Sequence, residues 1–216
     1  SNSPKDTNNI KQYFAKQTGF IAGTSIKYGP SLISGGTEFQ DLAQGFVIGQ
    51  RFHSAEACRL ADGRIQHIGH LNKADGRWRI FIFGGKGDPA KSSTNAYKLV
   101  DFLSKSPESP VIKYTPDDED IDAVIDVYAV FQHSEDISIE HLQDFLWPAK
   151  GKYGLRDYEK VFNAIPSNDI FELRKINRDS GCIVIIRPDQ HVAKILPLSN
   201  HQKVTLFFDQ FMIAKK

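Results

Sequence analysis

Cysteine is scarce in this chain. Only Cys58 and Cys182 occur among 216 residues, far apart and without a CxxC pair. That number excludes a disulfide framework and a cysteine-rich metal site. Both lie in strand-like sequence and read as thiols packed as small apolar groups. Two free thiols suit a reducing compartment, so a cytoplasmic location is expected. Net charge is nearly absent as well, with 27 basic residues against 26 acidic ones. Nothing electrostatic therefore recommends nucleic acid or an anionic membrane as a partner. No apolar run approaches ~20 residues, which excludes a transmembrane helix, and no secretory signal is visible. Methionine is nearly missing too: the single one is Met212. Ser1 accordingly reads as the start of a processed or recombinant piece, with Ser1-Asn2 as a scar of tag removal. The activity of the whole protein is then expected to lie outside this stretch.

What is present describes a globular protein. Hydrophobic residues make up 40% and charged residues 25%, ordinary for a chain that buries one sizeable core. Residues 1–40 read as a linker and tail. They open on polar SNSPKDTNN, pass through a short helix over Ile10–Gln17, and continue as a Gly-rich stretch. The apolar residues Phe20, Ile21, Ile26, Tyr28, Leu32 and Ile33 in that stretch suggest an interface with a neighbouring domain. Residues 41–216 read as the folded domain.

The domain is arranged around Arg77–Ser106, a strand, a Gly-rich loop and a helix. Trp78–Phe83 is apolar on both faces, the pattern of a sheet covered on each side. The helix carries Tyr97, Leu99, Val100, Phe102 and Leu103 near a 3.6 period, with Ser93 or Thr94 as N-cap and Pro107 and Pro110 as its stop. A loop between strand and helix is a usual place for a phosphate or redox site. Against the P-loop pattern, Gly85, Lys91 and Ser92 fit, but Ala90 stands where the second glycine belongs. Ala90 restricts the backbone and Pro89 has no N–H to donate to a phosphate. Asp126 follows only a short apolar run and makes a poor Mg²⁺ ligand candidate. A redox CxxC would sit in this same loop, where a helix N-terminus lowers a thiol pKa; no cysteine is there.

Other candidates are weaker. Gly45 and Gly49 imply close backbone approach, with Arg51 as a possible anion contact. Residues 57–72 form a hairpin about Asp62-Gly63. His67 and His70 fall on opposite faces of a strand and make no metal pair. Counting an EF-hand from Asp117 puts Asp122 where Gly is needed and Tyr128 where Glu is needed. Ile121–Phe131 reads as a strand, and Ile139–Leu146 as a short helix stopped by Pro148, with Glu140 and Asp144 as surface charges. Gly151–Asp157 is a turn region. Asp169–Ile176 is a helix started from Ser167 or Asn168. Gly181–Ile186 and His191–Leu196 form a hairpin, and His201–Ala214 a final helix capped by Ser199-Asn200.

The order β-α-β then β-β-α is that of an α/β, thioredoxin-like fold: a central mixed sheet flanked by helices, here without CxxC. The run Gly45…Gly49-Gln50-Arg51, then Ala61-Asp62-Gly63, Trp78–Phe83, and Ile185-Ile186-Arg187-Pro188-Asp189 with Val192 resembles the C-terminal domain of flavin-dependent phenol hydroxylases (phenol 2-monooxygenases). The likeness covers roughly residues 40–216. Phe20–Tyr28 with Pro30–Ile33 is similar to the segment that joins that family's flavin domain to this one. Gln190 stands where the family usually has Gly, which leaves the turn type open.

The resemblance implies a parent protein that binds FAD, takes hydride from NADPH and hydroxylates a phenol beside its hydroxyl. It implies a homodimer, and a partner in the flavin domain that this stretch lacks. No catalytic, cofactor-binding or metal-binding residue is carried over to any position here. Two other classes compete. One is an independent enzyme, either a nucleotide hydrolase using Lys91 and Ser92 or a thiol enzyme using Cys58 or Cys182. The other is an independent thioredoxin-like binding module without redox activity.

Overall fold

The structure is a computed structural model that describes residues 26–132 and 137–215. The helix expected over Ile10–Gln17, and residues 20–25 of the expected interface, lie outside the described residues.

β3 (Trp78–Phe83) is the central strand, and all six of its residues are buried. It runs parallel to β4 (Ile125–Phe131), which runs parallel to β7 (Val161–Asn163). On its other side β3 pairs antiparallel with β8 (Cys182–Ile186), which pairs with β9 (Val192–Leu196). β1 (Glu56–Arg59) joins β7 and carries β2 (Ile65–His67) outside it. The sheet order is therefore β2-β1-β7-β4-β3-β8-β9. Two helices complete the core, α1 (Asn95–Lys105) between β3 and β4 and α4 (His201–Asp209) after β9. β4-β3-β8-β9 with α1 and α4 is the β-α-β, β-β-α unit expected from sequence. The fold is thioredoxin-like, with β7, β1 and β2 extending the sheet past β4.

Alternation along β3 divides the core in two. Trp78, Ile80 and Ile82 face a layer with Leu99, Leu103, Val204 and Phe208. Phe81 and Phe83 face the opposite layer with Phe46, Phe52, Phe162 and Phe171. Successive strand side chains point to opposite faces, so one apolar run serves both layers. The first layer is helical. α1 starts at Thr94, whose side chain accepts from the Tyr97 N–H. α1 stops at Lys105, but Pro110 is no stop signal: it opens α2 (Pro110–Tyr114), capped by Ser109. Proline suits that first position because its missing N–H has no intrahelical partner anyway.

The second layer is mostly irregular. Its helical part is α3 (Ile170–Leu173), shorter than the helix expected over 169–176. The stretch from Ala43 to Ala55 covers the rest, with Phe46 stacked on Phe52 at 4.8 Å and Phe52 on Phe81 at 5.1 Å. The spaced glycines explain how it lies so close. A Cβ on Gly45 would fall 2.6 Å from Arg174 Cα, and Gly49 has φ +86 with Tyr28's carbonyl oxygen against it. Close backbone approach, as expected, is what the two glycines permit.

Elsewhere the structure departs from the sequence expectations. The helix expected over Ile139–Leu146 is two separate 3-10 turns, Ile139–His141 and Asp144–Leu146. The strand expected from Ile121 begins at Ile125. β7 has no counterpart among the sequence expectations, because Val161-Phe162 is too short an apolar run to stand out. The expected turn region Gly151–Asp157 includes part of a small ribbon, β5 (Ala149–Lys150) with β6 (Leu155–Arg156).

Candidate functional site

The loop after β3 is packed rather than open. A Cβ on Gly84 would lie 2.6 Å from the Phe131 ring, and one on Gly85 2.6 Å from the Asp179 carbonyl oxygen. The cleft that remains is about 40 Å³, little more than one water's share of liquid, ~30 Å³. Lys91 is exposed, with Nζ 3.9 Å from Asp88. The Ala90 N–H donates to Asp88 Oδ1 at 2.9 Å. An N–H that a P-loop would aim at phosphate is thus occupied by a carboxylate, which repels phosphate.

The thiols sit elsewhere. Cys182 lies opposite Phe83 in the β3–β8 ladder, and complete burial pushes its thiol pKa up. It packs as a small apolar group. Cys58 is half-buried on β1, its Sγ 3.9 Å from its neighbour's carbonyl oxygen. The histidines differ from expectation in geometry. β2 ends at His67, and the 3-10 turn Ile68–Leu71 brings the His70 ring to 5.6 Å from the His67 ring. His67 Nδ1 is already paired with Ser54 Oγ at 2.7 Å. Among the described residues, no three or more His, Cys, Asp or Glu are grouped to hold a metal. Arg51 is hydrogen-bonded to the Gln190 side chain, and Asp117 is paired with Lys215.

The densest chemistry lies at the opposite end of the sheet from the loop. Arg79 pairs with Asp126 in register, four residues back from Phe83, so the two ends are about 13 Å apart. Asp126 and Lys160 are 1% and 2% exposed. Lys160 Nζ bridges Asp126 and Asp122, the latter at 2.6 Å. Arg77 lies 3.2 Å from Asp126, and the Tyr128 hydroxyl donates to it at 2.9 Å. Lys150 joins from β5, 2.7 Å from Asp122 and 3.3 Å from Asp157. Burial alone would raise the Asp122 and Asp157 pKa values, but Lys160 and Lys150 more than offset it and hold both low. Every carboxylate here is matched by a cation. The cluster fixes the base of the β5–β6 ribbon to the core.

The ribbon and its neighbourhood are the most distinctive surface. Gly151 and Gly154, at φ +65 and +61, turn its tip. Tyr153 and Leu155 are 81% and 71% exposed. Beside the ribbon lies a groove of about 870 Å³. Its wall is a stack: Arg156 lies 4.7 Å over the Trp147 ring, and Trp147 stacks on Tyr158 at 5.7 Å. Across the groove, Arg59 ties Asp62 and Glu159, each at 2.6 Å, and holds Asp62 down to about 2. The sequence signal for this surface was faint: two glycines bracketing a tyrosine, and a Trp-Pro pair.

The lead-in segment from Ile26 forms a second surface. The Tyr28 N–H donates to Gly49's carbonyl at 2.9 Å, and Gly35 N–H to Ala193's at 2.8 Å, on the outer edge of β9. The Tyr28 ring meets His191 edge-on at 4.9 Å, with Arg187 4.8 Å over it. Ile26, Leu32 and Ile33 remain exposed, with Leu206 of α4.

Residues 26–216 match the family described as phenol hydroxylase, C-terminal dimerisation domain. The chain belongs to that family. It is 42% identical over 213 residues to a 3-hydroxybenzoate 4-monooxygenase of Comamonas testosteroni, covering 97% of this chain and 33% of that protein. It is 30% identical to the FAD-dependent monooxygenase terD of Aspergillus terreus, covering 95% of this chain and 34% of that one. The chain thus spans about a third of the length of the curated relatives it matches. A thioredoxin-like protein from Bacteroides caccae superposes with a TM-score of 0.49 at 11% identity, over 80% of this chain and 52% of that one. For this phenol hydroxylase-type dimerisation domain, the strand order rather than that score makes the core thioredoxin-like. Among its described residues no helix is long and apolar enough to cross a membrane.

Proposed function

We propose that this domain is the non-catalytic, dimer-forming portion of an FAD- and NADPH-dependent monooxygenase of phenolic aromatics. The observation that carries the reading is the family match across residues 26–216, joined to 42% identity with a named aromatic monooxygenase. The relative's name specifies hydroxylation next to an existing hydroxyl on a carboxylated ring. A hydroxybenzoate is accordingly the first substrate to try on the whole protein, ahead of phenol. In this reading residues 1–40 join the flavin portion to the domain at 41–216, and Ile26, Leu32 and Ile33, which are exposed, are the residues we assign to the contact with that portion. A cytoplasmic setting suits the free Cys58 and Cys182.

Neither the loop cleft nor the groove beside the ribbon suits FAD. The loop cleft is too small for a dinucleotide. The larger groove is lined by Asp62, Glu140, Asp157 and Glu159 against Arg59 and Arg156, an unfavourable balance for a pyrophosphate. On this reading the chain supplies no catalytic, cofactor-binding or metal-binding residue. Titration with FAD, read by flavin fluorescence, is expected to show no stoichiometric binding, and sedimentation to show twice the chain mass. Tight, stoichiometric FAD binding by this chain overturns the reading.

A further inference from the structure

A self-pairing surface needs its projecting part and its receiving part side by side. In a two-fold interface each copy offers the same patch, so a knob on one must meet a hole on the other and the reverse. The ribbon and the groove meet that condition, since Arg156 belongs to both β6 and the groove wall. The knob is apolar and aromatic at Tyr153 and Leu155, among the most exposed large hydrophobic side chains described. Tyrosine with an apolar neighbour is typical of interface anchors. The hole has an aromatic wall, Trp147 and Tyr158, and a half-buried apolar floor at Ile139.

Charge matches in the same sense. The ribbon tip carries Lys152, its Nζ 5.7 Å from the Tyr153 ring. The groove rim carries Glu140 and Glu159, both exposed. The ribbon is also held rigidly. Lys150 ties its first strand to Asp122 and Asp157, and the Gly151 N–H donates to Asp120 at 2.8 Å. A knob already fixed in place loses little conformational freedom on docking.

We infer that the β5–β6 ribbon and the groove beside it are the two halves of an isologous interface between two copies of this chain. Tyr153 and Leu155 of each copy seat against Trp147, Tyr158 and Ile139 of the other, and Lys152 lies over the Glu140–Glu159 rim. This inference rests on the dimerisation reading above and names its surface.

The test is sedimentation equilibrium of the 216-residue chain, beside the Tyr153→Ser/Leu155→Ser variant. Hydrogen exchange of the unmodified chain above and below its dissociation constant is the second measurement. The expected results are a dimer whose dissociation constant rises at least tenfold in the variant, and concentration-dependent protection over residues 139–141 and 147–159. A variant that stays dimeric with an unchanged constant overturns this surface and leaves the dimerisation reading standing. So does protection confined to residues 26–36 and 203–210, a result that needs no variant to fold. A wild-type chain that is monomeric at every concentration overturns both.

Discussion

Gln190 shows what a single residue does in this fold. Arg187 N–H and His191 carbonyl pair at 2.9 Å, leaving a three-residue loop whose last residue, Gln190, has φ +68. That is a type I turn followed by a left-handed residue, a place where glycine is preferred. The strain is of order 1–3 kcal/mol. The side chain offsets part of it, accepting from Arg51 and donating to the Asn72 carbonyl. Gln190→Gly relieves the strain and loses both bonds, so stability is expected to stay within about 1 kcal/mol of wild type. Gln190→Val keeps the strain, loses the bonds, and should cost about 2 kcal/mol or more in urea unfolding. Lys160 is the more sensitive residue. Lys160→Ala leaves Asp122 and Asp126 buried without their main cation and is expected to cost about 3–5 kcal/mol, read by the same titration.

At the scale of elements, the irregular second layer and the lead-in segment depend on each other through Gly49. Its positive φ and its contact with Tyr28's carbonyl leave no room for a side chain. Gly49→Ala is expected to release residues 26–36 from β9. Limited proteolysis would then cut near Leu32 several-fold faster, while the far-ultraviolet dichroism of the sheet stays unchanged. The charged end of the sheet responds to acid. Asp122 and Asp157 have folded pKa values below the usual carboxylate range, ~3.9. The folded state therefore binds fewer protons than the unfolded chain. Their contribution is complete above about pH 4 and is lost as pH falls through the lowered folded values. Melting temperature should hold down to about pH 4 on this account and fall steeply below it. The first protection lost in hydrogen exchange should be in the β5–β6 ribbon that Lys150 anchors. Equal loss at the α1–α4 layer would argue against that anchor.

At the scale of the whole molecule, a thioredoxin-like sheet carries no thiol pair at the end of β3, and the ribbon and the lead-in segment expose large apolar side chains, Tyr153, Leu155, Ile26 and Leu32 among them. Much of the fold was legible in the chain itself. The doubly apolar Trp78–Phe83 specified a central strand with a layer on each face, because strand side chains alternate. The hairpin at Asp62-Gly63, the N-cap at Thr94 and the final hairpin and helix followed from local turn and cap chemistry, which neighbouring residues decide alone. The near P-loop departs from its pattern for the same local reason, since Ala90 and Pro89 alter the backbone. What no window of sequence contained was long-range pairing. Val161–Asn163 became a strand only because β4 and β1 offered two open edges. His67 and His70 came together only because a 3-10 turn interrupted the strand period. Lys160 found Asp122 and Asp126 across 38 and 34 residues, and Tyr153 became a knob because that network fixed its ribbon outward. Local chemistry is written in order along the chain. Burial of a charge, and exposure of a tyrosine, are properties of where distant segments meet.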